Sequence, residues 1–313
     1  MLGKTAGGLY WMFRYLERSE NTARLVEAGF RIALTHSKVA EDEWRSVIVT
    51  AGQKQAYAER HDRYTSANIV DFLLRDTSHP ASIMSMIEAA RSNARLVRTA
   101  LTREVWEATN ECCMTLRTLL ETPIADRDLP AALRTIRQQS ALVRGALHGT
   151  MLRNEIFNFA RLGTFIERAE STARILDVKY YVLLPSVSFV GSSIDNVQWE
   201  TILRSVSAAT AYRQVHGSDP KARDIADFLI FDGRMPRSLA FCRAQITGNL
   251  GYLAREYEDR SPSLDYAEAM GVRMGEDDID NVFEHGLHQF IQDFIRENNT
   301  LGRKIEEDFR FNG

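Results

Sequence analysis

The chain has little of what usually marks a covalent framework, a membrane span or a polyanion binder. It holds three cysteines in 313 residues, Cys112, Cys113 and Cys242. An odd, sparse count excludes a disulfide framework. The adjacent pair sits in a helical pattern and reads as small core residues, so a cytoplasmic location is expected. No apolar run is longer than that from Tyr180 to Leu184, which is far too short to cross a bilayer. Met1-Leu2-Gly3-Lys4-Thr5 has no apolar stretch of the signal-peptide kind. The net charge is only −3 and no basic stripe is interleaved with aromatics, which argues against nucleic acid as a partner. Period-two alternation and Asn-Gly or Asp-Gly hairpin signals between apolar runs are both missing. The seven prolines all fall between segments of helical periodicity.

What is there is a helical protein with an internal repeat. The apolar share of 44% and charged share of 26% suit a globular fold with a substantial core. The stretch Tyr15-Leu16-Glu17-Arg18-Ser19-Glu20-Asn21-Thr22-Ala23-Arg24 returns 150 residues on as Phe165-Ile166-Glu167-Arg168-Ala169-Glu170-Ser171-Thr172-Ala173-Arg174. Six of the fourteen residues from 15 to 28 are identical to those from 165 to 178, where unrelated sequences would share about one. A second block repeats at an offset of 156: Asp71-Phe72-Leu73, Asp76, Pro80, Ser82 and Asn93 match Asp227-Phe228-Leu229, Asp232, Pro236, Ser238 and Asn249. The change of offset places a six-residue insertion in the second copy.

Periodicity predicts helices over about 8–35, 41–58, 66–74, 80–101, from 102 to before Pro123, 129–153, 156–184, 195–215, 220–231 and 278–309. Pro185 closes the seventh, and a Ser/Gly loop follows it. The expected fold is all-α: a tandem-duplicated helical bundle with pseudo-twofold symmetry in one compact unit, its repeats covering 1–153 and 154–313. No linker-like stretch separates them.

On a helical wheel Glu17, Glu20, Asn21 and Arg24 share one side, and Arg18 lies at the border of the apolar face. Glu20–Arg24 and Glu170–Arg174 have the favourable i, i+4 order. Arg14 stacks one turn from Arg18, but its counterpart is Thr164. A solvated face with weak ion pairs is the plain reading of one such helix. Surface pairs add little stability, yet between the copies the charged residues stayed identical while the apolar ones only stayed apolar. That leaves a buried ion network or a binding site as the alternatives for Glu17, Arg18, Glu20, Arg24, Glu167, Arg168, Glu170 and Arg174.

Other constellations carry less. Gly3-Lys4-Thr5 lacks the upstream glycine and strand of a phosphate loop. His285 and His288 stand one turn apart beside Glu284, but a di-iron bundle needs Glu-x-x-His on two helices, and neither copy has one; no metal and no cofactor is expected. His148 and Arg153-x-Glu155 precede the second motif closely enough to face the same space.

The motif blocks resemble the bacterial alpha-E family. The resemblance is carried by Thr5-Ala6-Gly7-Gly8-Leu9-Tyr10-Trp11 with Arg14 to Asn21, by Phe159-Ala160-Arg161-Leu162-Gly163 with Ile166 to Glu170, by Leu176-Asp177-Val178-Lys179-Tyr180-Tyr181, and by the closing Leu287-His288-Gln289-Phe290. It spans essentially the whole chain, and its Glu-Arg pair falls on Glu17-Arg18 and Glu167-Arg168. The chain departs from the pattern at Gly7-Gly8 and at Thr164-Phe165, where basic residues are common. The resemblance implies an all-helical, tandemly duplicated domain. It also implies genomic company of circularly permuted ATP-grasp proteins, transglutaminase-like proteins and an N-terminal-nucleophile peptidase, hence a part in peptide synthesis or modification. Three functions remain open: a non-hydrolytic scaffold or substrate-presenting partner of such a system, an enzyme using Glu17 or Glu167 as acid–base, and a purely structural network.

Overall fold

A computed structural model describes residues 1–35, 40–181 and 193–311. The described residues are helical throughout, with no strand. The longest helices carry the repeated motif: α1 (Gly3–Thr35) and α8 (Glu155–Tyr181). They make the most extensive helix–helix contact among the described residues.

Between them in the chain lie α2 (Ala40–Thr50), α3 (Lys54–Ala58), α4 (Ser66–Val70), α5 (Ile83–Leu96), α6 (Arg103–Leu119) and α7 (Leu129–Thr150). After α8 come α9 (Ser193–Ser205), α10 (Ala209–His216), α11 (Ala222–Ile230), α12 (Leu239–Tyr257), α13 (Pro262–Glu276), α14 (Ile279–His285) and α15 (Leu287–Asp308). Two rings of four follow from the packing. In one, α1 meets α5, α5 meets α6, α6 meets α7, and α7 returns to α1. In the other, α8, α12, α13 and α15 close in the same way. The long pair α1/α8 joins the rings, and one continuous apolar core runs through both.

The corresponding helices have matching local causes. Ser82 caps α5 by accepting the Ser85 N–H at 3.2 Å, and Ser238 caps α12 by accepting that of Phe241 at 3.0 Å. Helices α7 and α15 are both 22 residues long and start at a buried leucine. From there Leu133, Ile136, Ser140, Val143 and Leu147 are buried in one, and Ile291, Phe294, Asn298, Leu301 and Ile305 in the other, at the same spacings. The close approach of α1 and α8 depends on Gly163: a Cβ there would stand 2.1 Å from the Tyr10 carbonyl oxygen, so only glycine lets the backbones meet.

Several boundaries differ from the periodicity reading. The expected helix over 41–58 breaks at Gly52, whose φ is +70°. The one over 278–309 breaks at Gly286, with φ +102°, which puts His285 and His288 on different helices. Ser207 takes a φ of 55° and divides the segment expected at 195–215. Thr65 caps α4 by accepting the Asn68 N–H at 3.3 Å. Residues 232–277, where periodicity set no element, hold α12 and α13. Pro185 and the Ser/Gly loop lie outside the described residues.

Candidate functional site

The repeated motifs face each other across the α1/α8 contact, and they pair reciprocally. Arg18 donates Nε to Glu167 Oε1 at 2.6 Å and Nη2 to Oε2 at 2.7 Å. Arg168 donates Nε to Glu17 Oε1 at 2.8 Å and Nη2 to Oε2 at 3.0 Å. Each helix thus supplies the arginine for the other's glutamate, as a fork on a carboxylate. One turn along, Arg24 holds Glu20 at 3.0 and 2.6 Å, and Arg174 holds Glu170 at 3.0 and 2.7 Å. All eight sequence-predicted residues therefore share one layer at the α1/α8 contact, divided into two ion clusters, with Glu17, Glu20, Arg24 and Arg168 in one and Glu167, Glu170, Arg18 and Arg174 in the other. It is no solvated face: Glu17 and Glu20 are 1% exposed, Glu167 4% and Glu170 8%.

Three further arginines complete it. Arg14 donates Nε to Glu167 at 3.2 Å and stands 3.7 Å from Glu170. Its counterpart Thr164 bonds its own helix, to the Ala160 carbonyl. The corresponding charge at the other pair of carboxylates comes from Arg144 of α7, which bonds Glu20 and lies 3.5 Å from Glu17. On α15 the helical position equivalent to Arg144 is Gly302, and a Cβ there would lie 3.9 Å from Arg14 Nη1. The two halves thus reach a like charge arrangement from different helices. Arg237, just before α12, donates to Glu17 at 3.2 Å, Glu20 at 2.9 Å and Asn21 Oδ1 at 2.8 Å.

Arg144 and Arg237 escaped the sequence reading. Arg237 had a signal: it lies between Pro236 and Ser238, which match Pro80 and Ser82, and the residue so bracketed in the first copy is Ala81. Where Arg237 fills one side, the Ala81 side is open. A cavity of about 170 Å³ lies there, lined among others by Arg18, Asn21, Ala81, Glu167, Glu170 and Arg174. Asn21 Nδ2 is buried in the protein without a hydrogen-bond partner.

The electrostatics keep the carboxylates charged. Burial pushes Glu17 up, but Arg168, Arg237 and Arg144 outweigh it and hold its carboxyl far below the ordinary 4.5. Burial likewise opposes, and Arg18 and Arg14 override, at Glu167, which is also lowered. Glu20 is lowered against both burial and the neighbouring Glu17, by Arg237, Arg144 and Arg24. Burial brings Arg237 down to about 10, which leaves it a cation at neutral pH. Four carboxylates meet seven guanidiniums, so the network carries an excess of positive charge.

Of the remaining candidates, His148 shares a space with the second motif, lining a cavity with Thr164 and Arg168, and the others lie elsewhere. Glu155 bonds the Tyr257 hydroxyl at 2.5 Å, while Arg153 donates to the His148 carbonyl at 2.6 Å, so Arg153 and Glu155 part company. His285 contacts the Asn281 carbonyl and His288 the Asp177 carboxylate. Among the described residues no group of His, Cys, Asp and Glu is arranged to hold a metal ion, and no helix is long and apolar enough to cross a membrane. The three cysteines are free and buried, with the Cys112 and Cys242 thiols pushed up to about 12 by burial.

An all-α fold built on paired Glu-Arg helices defines the class. The chain belongs to the Alpha-E family, described as a predicted alpha-helical domain with a conserved ER motif, whose model matches residues 1–309. No curated protein and no solved structure matches the chain.

Proposed function

We propose that the protein is a non-hydrolytic helical component, a scaffold or substrate-presenting partner, of a cytoplasmic ATP-grasp- and transglutaminase-associated peptide synthesis or modification system. The observation that carries the non-catalytic part is the reciprocal clamp of Glu17 by Arg168 and Glu167 by Arg18. A general acid or base works best with a pKa near the operating pH. These carboxyls are driven the other way and both oxygens of each are engaged. Binding therefore fits them better than proton transfer, and the excess of guanidinium over carboxylate favours a carboxylate-bearing substrate or partner. The cavity beside Ala81 gives such a group a place next to the Arg18 and Arg174 side chains. The association with ATP-grasp and transglutaminase-like proteins rests on the family's company. We also read the chain as two repeats, 1–153 and 154–313, related by a pseudo-twofold between α1 and α8. The paired caps, helix lengths and buried positions support that reading.

The test is affinity purification of the tagged protein from its native host, with the captured proteins identified by mass spectrometry. An ATP-grasp or transglutaminase-like protein should co-purify with wild type and be lost from an Ala81→Arg variant of matched circular dichroism. Capture of neither class would refute the scaffold reading.

A purely structural network is the second reading, favoured by the complete mutual pairing on the Glu17 side. It predicts that Ala81→Arg changes neither partner capture nor substrate binding.

A further inference from the structure

A second cavity, of about 230 Å³, lies where the end of α7 passes α8. Its wall includes Arg144, His148, Arg161, Thr164, Phe165 and Arg168, and no carboxylate lines it. Three guanidiniums and an imidazole therefore converge on one space. Arg144 and Arg168 turn their other edges to Glu20 and Glu17. Among the described residues Arg161 has no carboxylate partner. One terminal nitrogen of Arg161 meets His148 Nε2 at 3.1 Å, and the other donates to Gln245. Its Nε–H is buried without a partner. The guanidinium lies over the Phe165 ring, 4.5 Å from the centroid, which holds it in place from below.

Gathering like charges without a counterion is unfavourable, and the groups register it. Burial, then Arg168 and Arg153, bring Arg161 down to about 10. His148 is lowered by loss of solvent around the ring and by Arg161, Arg153, Arg144 and Arg168, all of them cations. Repelling cations around a cavity that no carboxylate lines lack one thing, an anion with several acceptor oxygens.

We propose that this cavity binds a small oxyanion, the carboxylate or phosphate group of a small molecule, held by Arg161 and Arg144 with His148 at the mouth. The site is separate from the cavity beside Ala81 and needs no protein partner, so it stands or falls apart from the scaffold reading. Binding couples to protonation: an anion within reach of the ring favours imidazolium, so His148 takes up a proton as the site fills.

The experiment is titration of the purified full chain with inorganic phosphate and, separately, with acetate, at constant ionic strength kept with chloride. Heat is read by calorimetry and the His148 ring by NMR. Either anion should bind, raise the His148 pKa and bind more tightly as pH falls through it. The arm that responds tells phosphate from carboxylate. Arg161→Gln should weaken binding about tenfold or more, the loss of one hydrogen bond to a charged group. A second variant guards against misfolding. Gly145 lines the cavity and a Cβ there meets nothing within 4 Å, so Gly145→Asp brings a carboxylate into the space without a steric cost. It should abolish binding and raise the His148 pKa with no anion added. If neither phosphate nor acetate moves the His148 ring, or if the folded Gly145→Asp protein binds as wild type does, the proposal is wrong.

Discussion

Arg237→Ala is the sharpest perturbation of the network. The side chain is buried and makes three charge-assisted bonds, to Glu17, Glu20 and Asn21. Removing one partner of a buried ion pair costs about 3–5 kcal/mol, because the charge left behind is unpaired. Here it is not wholly unpaired. Glu17 keeps the Arg168 fork, and Glu20 keeps Arg24 and Arg144. The cost therefore belongs near the lower bound, about 3 kcal/mol. Arg103→Ala is the internal control. It removes an i, i+4 pair with Glu107 in which both side chains are largely exposed, and such surface pairs contribute little to stability. Urea unfolding of the three proteins, followed by circular dichroism with the denaturant slope held common, gives both differences. A loss for Arg237→Ala no larger than that for Arg103→Ala would refute the claim that the network is buried and tightly paired.

Acid should unfold the protein through the same groups. The Glu17 and Glu167 carboxyls are lowered in the folded state, so their stabilisation is complete above the unfolded value of 4.5 and is lost as pH falls below it toward their folded values. Glu17→Gln should remove part of that acid dependence in pH-jump fluorescence. An unchanged acid limb would contradict the assignment. Glu43 has the opposite sign: burial, then Asp42, raise it to about 7, so stability falls as pH rises from 4.5 through 7. Glu43→Gln should accordingly gain thermal stability over wild type at pH 8 relative to pH 5, and an equal difference at both would count against it. Gly163→Ala would drive a Cβ into the Tyr10 carbonyl. It should lower the melting temperature by at least about 5 °C, the lower range for a backbone-strain mutation in a domain of this size; calorimetry decides, and a neutral substitution would mean that α1 and α8 can separate at little cost.

Much of this was legible in the chain, for a definite reason. Period-3.6 apolar spacing shows wherever one helix face is buried, so α1, α7 and α8 could be read. Breaks set by a single positive φ, at Gly52, Gly286 and Ser207, leave no trace in that spacing. The motif residues were visible because two copies kept the same charges. Arg144 was not, since it has no like residue in the corresponding helix: Arg14 serves the other side from α1, and Gly302 stands where a second Arg144 would be. Arg237 was hidden by being a difference between the copies. Repetition draws attention to what is shared, and the open cavity lies where the copies diverge, at Ala81.

The central claim is that the two Glu-Arg motifs hold each other across α1 and α8. A double-mutant cycle on Glu17 and Arg168 measures that directly, using Glu17→Gln, Arg168→Met and the pair together. The account predicts a coupling of at least about 1.5 kcal/mol, within the range for residues in one ion network, with the double variant more stable than the sum of the single losses implies. Strict additivity, a coupling near zero, would mean that the motifs do not pair, and the account would fail with it.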